Sequence, residues 1–377
     1  MPVTRAKKFC IDVRTATSHF PGVGRYASEL ARAMSRILTL GEELSLICSN
    51  ARELRGLPGK VTRLTTSVSP FSLRQQLTIP RLLKRHDIDV YHSTYYLMPY
   101  RPVVPTVLTV YDLIPALFPS SVGLRARLFF RLTHRLALGA STVVIAISRT
   151  TGQALATHYR LPPEKIQVIH LGVAERFKPA STEAIQTVRT KYGLPSDFAL
   201  YVGINKPHKN LERLVRSWQK AFRDTSRLLI IAGPWDSRYD DVRRLLQRPE
   251  VQSNVRLIGP VNDADLPILY SAARLFVFPS LYEGFGLPVL ESMACGTPVA
   301  CSDIPALREV AGNAAVYFDP EDVDSIGLVL SELDADDSSQ EKLREAGLCR
   351  AATFTWDAAA AATLEVYRKT ADAQTRP

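Results

Sequence analysis

The chain has 377 residues, of which 46% are hydrophobic and 22% are charged, a composition that excludes an intrinsically disordered protein. It holds no apolar run long enough to cross a membrane, and we expect no signal peptide because only a short strand-like run follows the basic N-terminus. Residues 1–172 hold 23 Lys and Arg against 9 Asp and Glu, and such a basic half favours anionic partners: nucleic acid, an acidic membrane surface or a phosphorylated acceptor.

Short apolar runs alternate with amphipathic stretches along the whole chain. The runs that predict strands are 9–13, 44–49, 90–92, 104–110 and 142–147 in the first half, and 198–203, 227–233, 255–259, 275–279 and 298–301 in the second. Alternation of strands with helices indicates parallel sheets with crossover helices. The predicted fold class is therefore α/β, with two doubly wound parallel-sheet domains whose ligands bind outside the carboxyl ends of the strands, in a cleft between the domains.

The domain boundary is expected between Gly172 and Thr187, where 177–181 has the composition of a connector. We assign residues 1–175 to the first domain and residues 186–355 to the second. The alanine-rich tail, 356–377, is predicted to be a helix that packs back on the first domain.

Neither the cysteines nor the paired aspartates have the pattern of a metal site. The five cysteines show no C-x-x-C spacing, and their scatter in apolar runs predicts reduced, mostly buried thiols of a cytoplasmic protein. The D-x-D pairs at 87–89, 263–265 and 322–324 are more typical of caps and turns.

Residues 22–27, Gly-Val-Gly-Arg-Tyr-Ala, formally match a dinucleotide-binding fingerprint. The match is weak, because residues 14–21 separate the glycines from the strand at 9–13. The strand at 44–49 also ends without an acidic residue that could hold a ribose. We therefore disfavour a nicotinamide-dependent enzyme.

Residues 124–136 form a basic amphipathic pattern, with leucines and arginines each recurring every four positions. Such a helix can dock on anionic lipid. It can equally pack its leucines inside the domain and expose its arginines to water. The pattern leaves both interpretations open.

The segment 201–211 places two lysines where a strand ends and a helix begins. The strand ends at Gly203, and Lys206 and Lys209 follow in a polar loop before a helix that starts near Asn210. Fixed cations beside a helix N-terminus favour a bound phosphate. The alternative is a pair of solvated loop lysines.

A second segment, 280–291, holds Glu283 and Glu291 on either side of a glycine-broken turn that leads into a helix. Gly284 and Gly286 allow backbone N–H groups to approach a ligand closely, and the helix start is an anion site. A carboxylate beside a phosphate site repels phosphate and is better suited to accept hydrogen bonds from hydroxyls. Phosphate together with two sets of hydroxyls describes a sugar nucleotide.

These segments resemble the family 4 retaining glycosyltransferases of the GT-B fold, which has two Rossmann-like domains. The resemblance covers nearly the whole chain. It includes the Glu-x7-Glu turn (Glu283, Glu291), the loop with Gly203, Lys209 and Asn210, and the weaker motifs 22–26, 169–173 and 302–309. Residues 110–115 and 201–211 look most like bacterial polysaccharide mannosyl-, glucosyl- or rhamnosyltransferases.

The resemblance implies a sugar-nucleotide site in the second domain. Glu283 would hold hydroxyls of the donor sugar, Glu291 those of the ribose, and Lys209 the diphosphate. Family members often carry Arg where Ile204 stands, and we expect Lys206 to supply that charge. The expected donor-binding residues are Gly203, Asn205, Lys206, Lys209, Glu283, Gly284, Phe285, Gly286, Leu287 and Glu291.

The resemblance also implies an acceptor site in the first domain, formed by Gly22, Gly24, Arg25, Tyr111 and Asp112. The loop with Gly24 and Arg25 would border the acceptor and the diphosphate. Tyr111 stands where many members carry a His that contacts the donor sugar. The expected catalytic residues are Glu283, Lys209 and Asp112. A wall formed by His92, Tyr95 and Tyr96 toward the acceptor is an alternative to a structural role for His92.

The predicted function is transfer of a hexose, mannose or glucose, with retention, from a nucleoside-diphosphate sugar to a glycan or lipid-linked glycan in polysaccharide biosynthesis, without a metal or a cofactor. The departing diphosphate would take the acceptor proton, although Glu283 can also be interpreted as a nucleophile. Rival functions are a GT-B sugar-nucleotide epimerase, a sugar phosphorylase and a basic nucleic-acid-binding protein. No nucleic-acid-binding module is recognisable, so nucleic acid is not an expected partner. We expect a cytoplasmic enzyme that associates peripherally with the inner face of the cytoplasmic membrane.

Overall fold

The computed structural model describes residues 5–17, 21–50, 57, 61–118 and 123–373. The chain divides into two compact units. Unit 1 consists of Met1–Gly172 and Thr355–Pro377, and unit 2 is Val173–Phe354. Each unit is built around one parallel sheet.

The sheet of unit 1 has the strand order β3-β2-β1-β4-β5-β6-β7, with every neighbouring pair parallel. Its central strands are apolar runs buried on both faces, as parallel sheets covered by helices require. The strands are β1 Lys7–Asp12, β2 Glu42–Cys48, β3 Val61–Thr65, β4 Val90–Ser93, β5 Thr106–Val110, β6 Val143–Ala146 and β7 Ile166–Val168.

Helices connect these strands. They are α1 Pro21–Ile37, α2 Gln75–Arg85, α3 Ile114–Leu117, α4 Leu124–Ala140 and α5 Arg149–Tyr159. From β3 to β7 the chain moves across the sheet in one direction, opposite to its direction from β1 to β3. Because crossovers between parallel strands are right-handed, α2, α4 and α5 lie on one face of the sheet and α1 lies on the other.

Unit 2 repeats this architecture with the order β10-β9-β8-β11-β12-β13. Its strands are β8 Ala199–Val202, β9 Leu229–Ala232, β10 Val255–Gly259, β11 Leu275–Phe278, β12 Val299–Ser302 and β13 Val316–Phe318. Its helices are α6 Thr182–Tyr192, α7 Leu211–Phe222, α8 Asp241–Leu246, α9 Pro249–Gln252, α10 Leu266–Ala272, α11 Leu287–Ala294, α12 Pro305–Ala311, α13 Val323–Ala335 and α14 Asp337–Ala352.

The strand order of each sheet reverses at a central pair, β1/β4 in unit 1 and β8/β11 in unit 2. Connections leave such a pair in opposite directions, which opens a crevice at the carboxyl ends of the two strands. Ligands of doubly wound sheets bind there. The loops that follow β8 and β11 are therefore the first place to look for a site in unit 2.

The last helix, α15 Trp356–Asp372, belongs to unit 1 and packs along α1. The Tyr367 ring lies 5.3 Å from that of Phe9, and its hydroxyl is 2.6 Å from Nδ1 of His92. At its outer face, Arg368 pairs with Glu42 at 2.6 Å. Residues distant in sequence thus close the core of unit 1.

The predicted fold class, with two doubly wound parallel sheets, is confirmed. Three strands were missed: β3, β7 and β13, which all lie at the edge of a sheet. Polar residues interrupt β3 and β7, and β7 and β13 have only three residues each, whereas the edge strand β10 was predicted.

Helix α4 contradicts the interpretation that buries its leucines. Leu124, Leu128, Leu132 and Leu136 are all exposed, and the helix packs instead through Phe130, Thr133, His134, Ala137 and Leu138. In the part of the chain that the structure describes, no helix combines the length and apolar character needed to span a bilayer.

Candidate functional site

The carboxyl end of β8 lies unusually close to that of β9. Gly203 N donates to Ala232 O at 2.9 Å, and a Cβ on Gly233 would lie 2.2 Å from Gly203 O. Gly233 also has a φ of +135°, so only glycine suits this position. The tight contact fixes the point from which the loop 204–210 leaves the sheet.

Asn205 anchors a neighbouring loop with its side-chain amide. Its Nδ2 donates to the carbonyls of Asp236 and Tyr239 at 2.9 and 2.7 Å, and its Oδ1 accepts from the Asp236 N–H at 2.7 Å. Three hydrogen bonds therefore hold the segment after β9 against the loop after β8. Because these hydrogen bonds engage the side chain of Asn205, we expect its backbone atoms to make any contact with a ligand.

Asn210 connects the loop 204–210, which holds Lys206 and Lys209, to the neighbouring strands by hydrogen bonds. It adopts a left-handed conformation with φ of 58°, between the single 3-10 turn Pro207–Lys209 and α7. Its Nδ2 donates to Pro279 O at 3.0 Å and to Pro320 O at 2.6 Å. The Leu281 N–H donates to His208 O at 2.8 Å. The loops after β8 and β11 are thus joined on both sides of Lys209.

Lys209 and Glu283 form an ion pair between these two loops. Lys209 Nζ lies 2.5 Å from Glu283 Oε1, and both side chains are largely buried. The ammonium group also lies 5.0 Å from the centre of the Phe278 ring. Lys206 is half-buried, and its carbonyl accepts from the Lys209 N–H at 2.9 Å, while its ammonium group makes no hydrogen bond to the described residues. The structure thus places the two residues of the strongest sequence patterns in direct contact.

The turn after Glu283 ends at an open helix start. Gly286 is the N-cap of α11 with φ of +117°, and a Cβ there would lie 2.6 Å from Leu307 Cδ2. No side chain caps this helix. Pro288 has no N–H, and the N–H groups of Val289 and Leu290 donate to Gly286 O at 3.0 and 3.4 Å. At this helix start, the Leu287 N–H is thus left without an acceptor among the described residues. Phe285 packs under the turn against Phe354, with ring centres 5.9 Å apart. The Leu287 N–H is therefore available to an anion at the start of α11.

Glu291 lies on α11 and is almost fully buried. Its Oε2 accepts a hydrogen bond from Tyr270 Oη at 3.3 Å. Burial, together with the negative charge of Glu291, raises the pKa of the nearby Cys295 thiol to about 12. The thiol therefore stays neutral, and Tyr270 orients the carboxylate.

His208 precedes Lys209 and stays neutral at physiological pH. Burial and the charge of Lys209 lower its pKa to about 4. Its Nδ1 is buried without a hydrogen-bond partner among the described residues, as is the Ser280 hydroxyl. The sequence did not single out Tyr270 as a site residue, because no pattern links it to Glu291 and their contact depends on the fold.

In unit 1, Gly22 and Gly24 were predicted in a loop, and this prediction is wrong. Both lie in the first turns of α1, which begins at Pro21. A Cβ on Gly24 would lie 3.0 Å from Thr15 O, so the glycine lets the helix approach the segment after β1. Arg25, one residue further on, is half-buried.

Tyr111 and Asp112 follow β5 and both make local contacts. The Tyr111 hydroxyl donates to Thr94 O at 2.9 Å, and burial raises its pKa well above the ordinary value. Asp112 Oδ1 accepts from the Ile114 N–H at 2.8 Å at the start of α3. The structure thus shows positioning contacts for both residues, at the carboxyl edge of the sheet.

His92 is not part of an acceptor wall. It is fully buried, with Nε2 2.8 Å from Thr109 Oγ1 and Nδ1 bonded to Tyr367. Burial lowers its pKa to about 3. Its role is to join the sheet of unit 1 to α15.

The aspartates with D-x-D spacing serve local structure. Asp89 accepts from the Lys8 N–H at 2.7 Å, Asp265 pairs with Lys191 at 2.5 Å, and Asp322 accepts from the Asp324 N–H at 2.8 Å. Across the described ranges, no cluster of three His, Cys, Asp or Glu side chains is arranged to hold a metal ion. Independence of metal stays a prediction.

Both halves of the chain match known protein families. Residues 21–176 match Glycosyltransferase Family 4, and residues 185–348 match Glycosyl transferases group 1. The chain is 31% identical over 371 residues to O-antigen chain mannosyltransferase B of Escherichia coli, a match that covers 92% of this chain and 96% of that protein. The chain therefore belongs to family 4 of the retaining glycosyltransferases.

Solved structures agree on the fold. A glycosyltransferase from Rickettsia africae superposes with a TM-score of 0.76 at 19% identity, over 99% of this chain and 100% of that one. HepE from Anabaena, solved with UDP and glucose, gives a TM-score of 0.75 at 16% identity over 96% of this chain and 100% of that one. These similarities confirm the predicted GT-B fold, and the protein is a glycosyltransferase.

Proposed function

We propose that this enzyme transfers mannose from a nucleoside-diphosphate sugar to a glycan or lipid-linked glycan in polysaccharide biosynthesis. The observation that carries the proposal is the ion pair of Lys209 and Glu283, which joins the carboxyl ends of β8 and β11 beside the open start of α11. The similarity to an O-antigen chain mannosyltransferase supports mannose, and the UDP and glucose in HepE support a nucleotide-sugar donor.

In the proposed site, the diphosphate lies between Lys209, Lys206 and the Leu287 N–H at the start of α11. Ammonium groups and a helix start both favour negative charge. When the diphosphate recruits Lys209, the Glu283 carboxylate becomes available to accept hydrogen bonds from hydroxyls of the sugar. Glu291, whose carboxylate accepts a hydrogen bond from Tyr270, is proposed to bind the ribose hydroxyls.

The reaction breaks the bond between the anomeric carbon and the diphosphate oxygen and forms a bond to an acceptor hydroxyl on the same face. The diphosphate gains negative charge as it departs, and one of its oxygens takes the acceptor proton. Fixed cations at Lys209 and Lys206 stabilise this charge more in the transition state than in the ground state. No protein nucleophile is then required, and Glu283 acts by binding.

The acceptor is proposed to bind at unit 1, near Gly22, Gly24, Arg25, Tyr111 and Asp112. A lipid-linked acceptor requires the enzyme to work at a membrane surface. We therefore propose that the exposed leucines and arginines of α4 contact the anionic inner face of the cytoplasmic membrane.

The test is a transfer assay with labelled GDP-mannose and UDP-glucose, after a thermal-shift screen to select the donor that binds the folded state. We expect Lys209→Met to lower kcat by about 10²–10³, as the loss of one charge-stabilising donor usually does. Lys220→Met on α7 is the matched control, because its ion pair with Asp324 is exposed. Wild-type turnover by both Lys209→Met and Glu283→Gln would refute the site.

Incubation with the donor alone separates the rival enzymes. An epimerase converts the sugar nucleotide without an acceptor, and a phosphorylase forms a sugar phosphate when inorganic phosphate is present. A transferase produces neither, apart from slow hydrolysis of the donor.

A further inference from the structure

A second group of apolar side chains is exposed in unit 1, in the turn that leads from β3 into α2. Phe71 is 61% exposed, Leu73 86% and Leu77 61%. Surface leucines are ordinary when scattered singly, but three within seven residues form a patch. We name residues 71–77 the α2 turn.

The α2 turn is held firmly by buried polar contacts. Arg14, almost fully buried, forms an ion pair with Asp12 at 2.6 Å. Its guanidinium also donates to Val68 O at 2.9 Å and to Gln75 Oε1 at 3.0 Å. The apolar side chains are therefore presented to solvent by an ordered segment.

Helix α4 presents a larger patch of the same kind. Leu124, Leu128, Phe129, Leu132 and Leu136 are between 44% and 62% exposed. Because the opposite side of α4 already packs into unit 1, these side chains have no neighbouring element to cover them among the described residues.

The two patches belong to one side of unit 1. Right-handed crossovers place α2 and α4 on the same face of the sheet. Gln76 donates to Met98 O at 2.9 Å and accepts from the Tyr100 N–H at 2.8 Å. Met98 in turn packs in the same buried cluster as Phe130 on the inner side of α4.

The charge around both patches is of one sign. No Asp or Glu occurs between Asp112 and Glu164, a stretch with six arginines, and none occurs between Glu53 and Asp87. The exposed cations beside the patches are Arg74, Arg81, Lys84 and Arg85 near α2, and Arg125, Arg131 and Arg135 on α4. Apolar side chains bordered by unopposed cations are complementary to the acyl chains and headgroups of anionic lipid.

We infer that the α2 turn and α4 form one docking surface for an anionic bilayer, with Phe71, Leu73 and Leu77 inserting beside the leucines of α4. This inference extends the proposed function and depends on it in one respect, namely that the acceptor is linked to a lipid. The α2 turn and the start of α4 follow the carboxyl ends of β3 and β5. Two contacts, unlike one helix alone, orient that edge of the sheet, with Tyr111 and Asp112, toward the lipid.

The experiment measures partition of the full chain to vesicles of equimolar phosphatidylglycerol and phosphatidylcholine by flotation. We expect Leu73→Gln with Leu77→Gln to weaken partition at least about tenfold, and Leu128→Gln with Leu132→Gln to weaken it similarly, since each pair removes apolar groups from the interface. Arg131→Gln should weaken it roughly fivefold. Pure phosphatidylcholine vesicles should bind much less.

The matched control is Leu328→Gln, which changes a leucine of α13 in unit 2 that is 58% exposed. It should leave partition unchanged. Partition at the wild-type level by the variant with Leu73→Gln and Leu77→Gln would overturn the inference. So would a dimer, detected by light scattering, that the same substitutions dissociate, because the surface would then hold two copies of the chain together.

Transfer to a water-soluble acceptor separates this inference from the proposed function. All four variants should keep wild-type transfer in solution, because none of the changed residues lies in the proposed catalytic site. If the enzyme transfers no hexose from any donor but binds vesicles as described, the proposed function fails and the docking surface stands. If transfer occurs without vesicle binding, the docking surface alone fails.

Discussion

Asn210 determines where Lys209 lies. The left-handed backbone at φ of 58° is one that asparagine tolerates and that costs most other residues about 1–2 kcal/mol. Its side-chain amide donates to the carbonyls of Pro279 and Pro320, which follow β11 and β13. The residue thus links local conformation to the geometry of the proposed diphosphate site.

Asn210→Ala should lower the free energy of unfolding by about 2–4 kcal/mol, from backbone strain and two lost buried hydrogen bonds. It should also lower kcat, because Lys209 is no longer held beside Glu283. Asn210→Gly keeps the backbone conformation and loses only the hydrogen bonds, so we expect a smaller loss of stability. Urea denaturation and transfer kinetics of both variants provide the measurements, and equal stabilities would contradict the strain argument.

At the scale of single residues, the sequence pointed to candidate ligand-binding residues but not to the contacts between them. Lys209 and Glu283 were recognisable because charged residues between a strand and a helix point to a ligand. Their mutual contact joins residues 74 positions apart and follows only from the order of β8 and β11 in the sheet. The glycines at 22 and 24 were misplaced because Pro21 begins a helix directly before them.

At the scale of elements, α15 is held to the sheet of unit 1 through His92. Thr109 Oγ1 lies 2.9 Å from Tyr26 Oη and 2.8 Å from His92 Nε2, while Nδ1 of the imidazole contacts Tyr367. A buried imidazole in such a chain remains neutral, in line with its pKa of about 3. The network couples helix docking to the protonation of His92.

This coupling predicts a dependence of stability on pH. The folded pKa of about 3 lies below the ordinary 6.5, so the unfolded chain binds the proton first as the pH falls. Stability present above pH 6.5 is lost toward pH 3, at up to about 1.4 kcal/mol per pH unit from this group. The slope of unfolding free energy against pH should be shallower in His92→Gln. Identical slopes would mean that His92 titrates alike in both states.

The elements themselves show where sequence patterns succeed. Every strand buried between two others was predicted, because burial on both faces demands a continuous apolar run. The edge strands β3, β7 and β13 were missed because they are very short or interrupted by polar residues, whereas the edge strand β10 was predicted. The leucines of α4 allowed two interpretations, because their spacing shows that they share one face of the helix but not whether that face packs against the sheet or is exposed.

At the scale of the whole molecule, the chain leaves unit 1, builds unit 2 and returns as α15. Unit 2 is continuous in sequence and unit 1 is not. Phe354 still belongs to unit 2, where its carbonyl accepts from the Val173 N–H at 2.9 Å and its ring packs on Phe285. The chain therefore passes from unit 2 back into unit 1 between Phe354 and Thr355.

Truncation after Phe354 should unfold unit 1 and leave unit 2 intact. It removes Trp356, Leu364 and Tyr367, which are buried against unit 1 and each contribute roughly 1.5–3 kcal/mol. Together they approach the whole stability of a domain, about 5–15 kcal/mol. Calorimetry should then show one transition from unit 2, which the selected sugar nucleotide still raises. Truncation after Asp372, which keeps α15, is the control, and a cooperative transition of unit 1 in the shorter chain would contradict the argument.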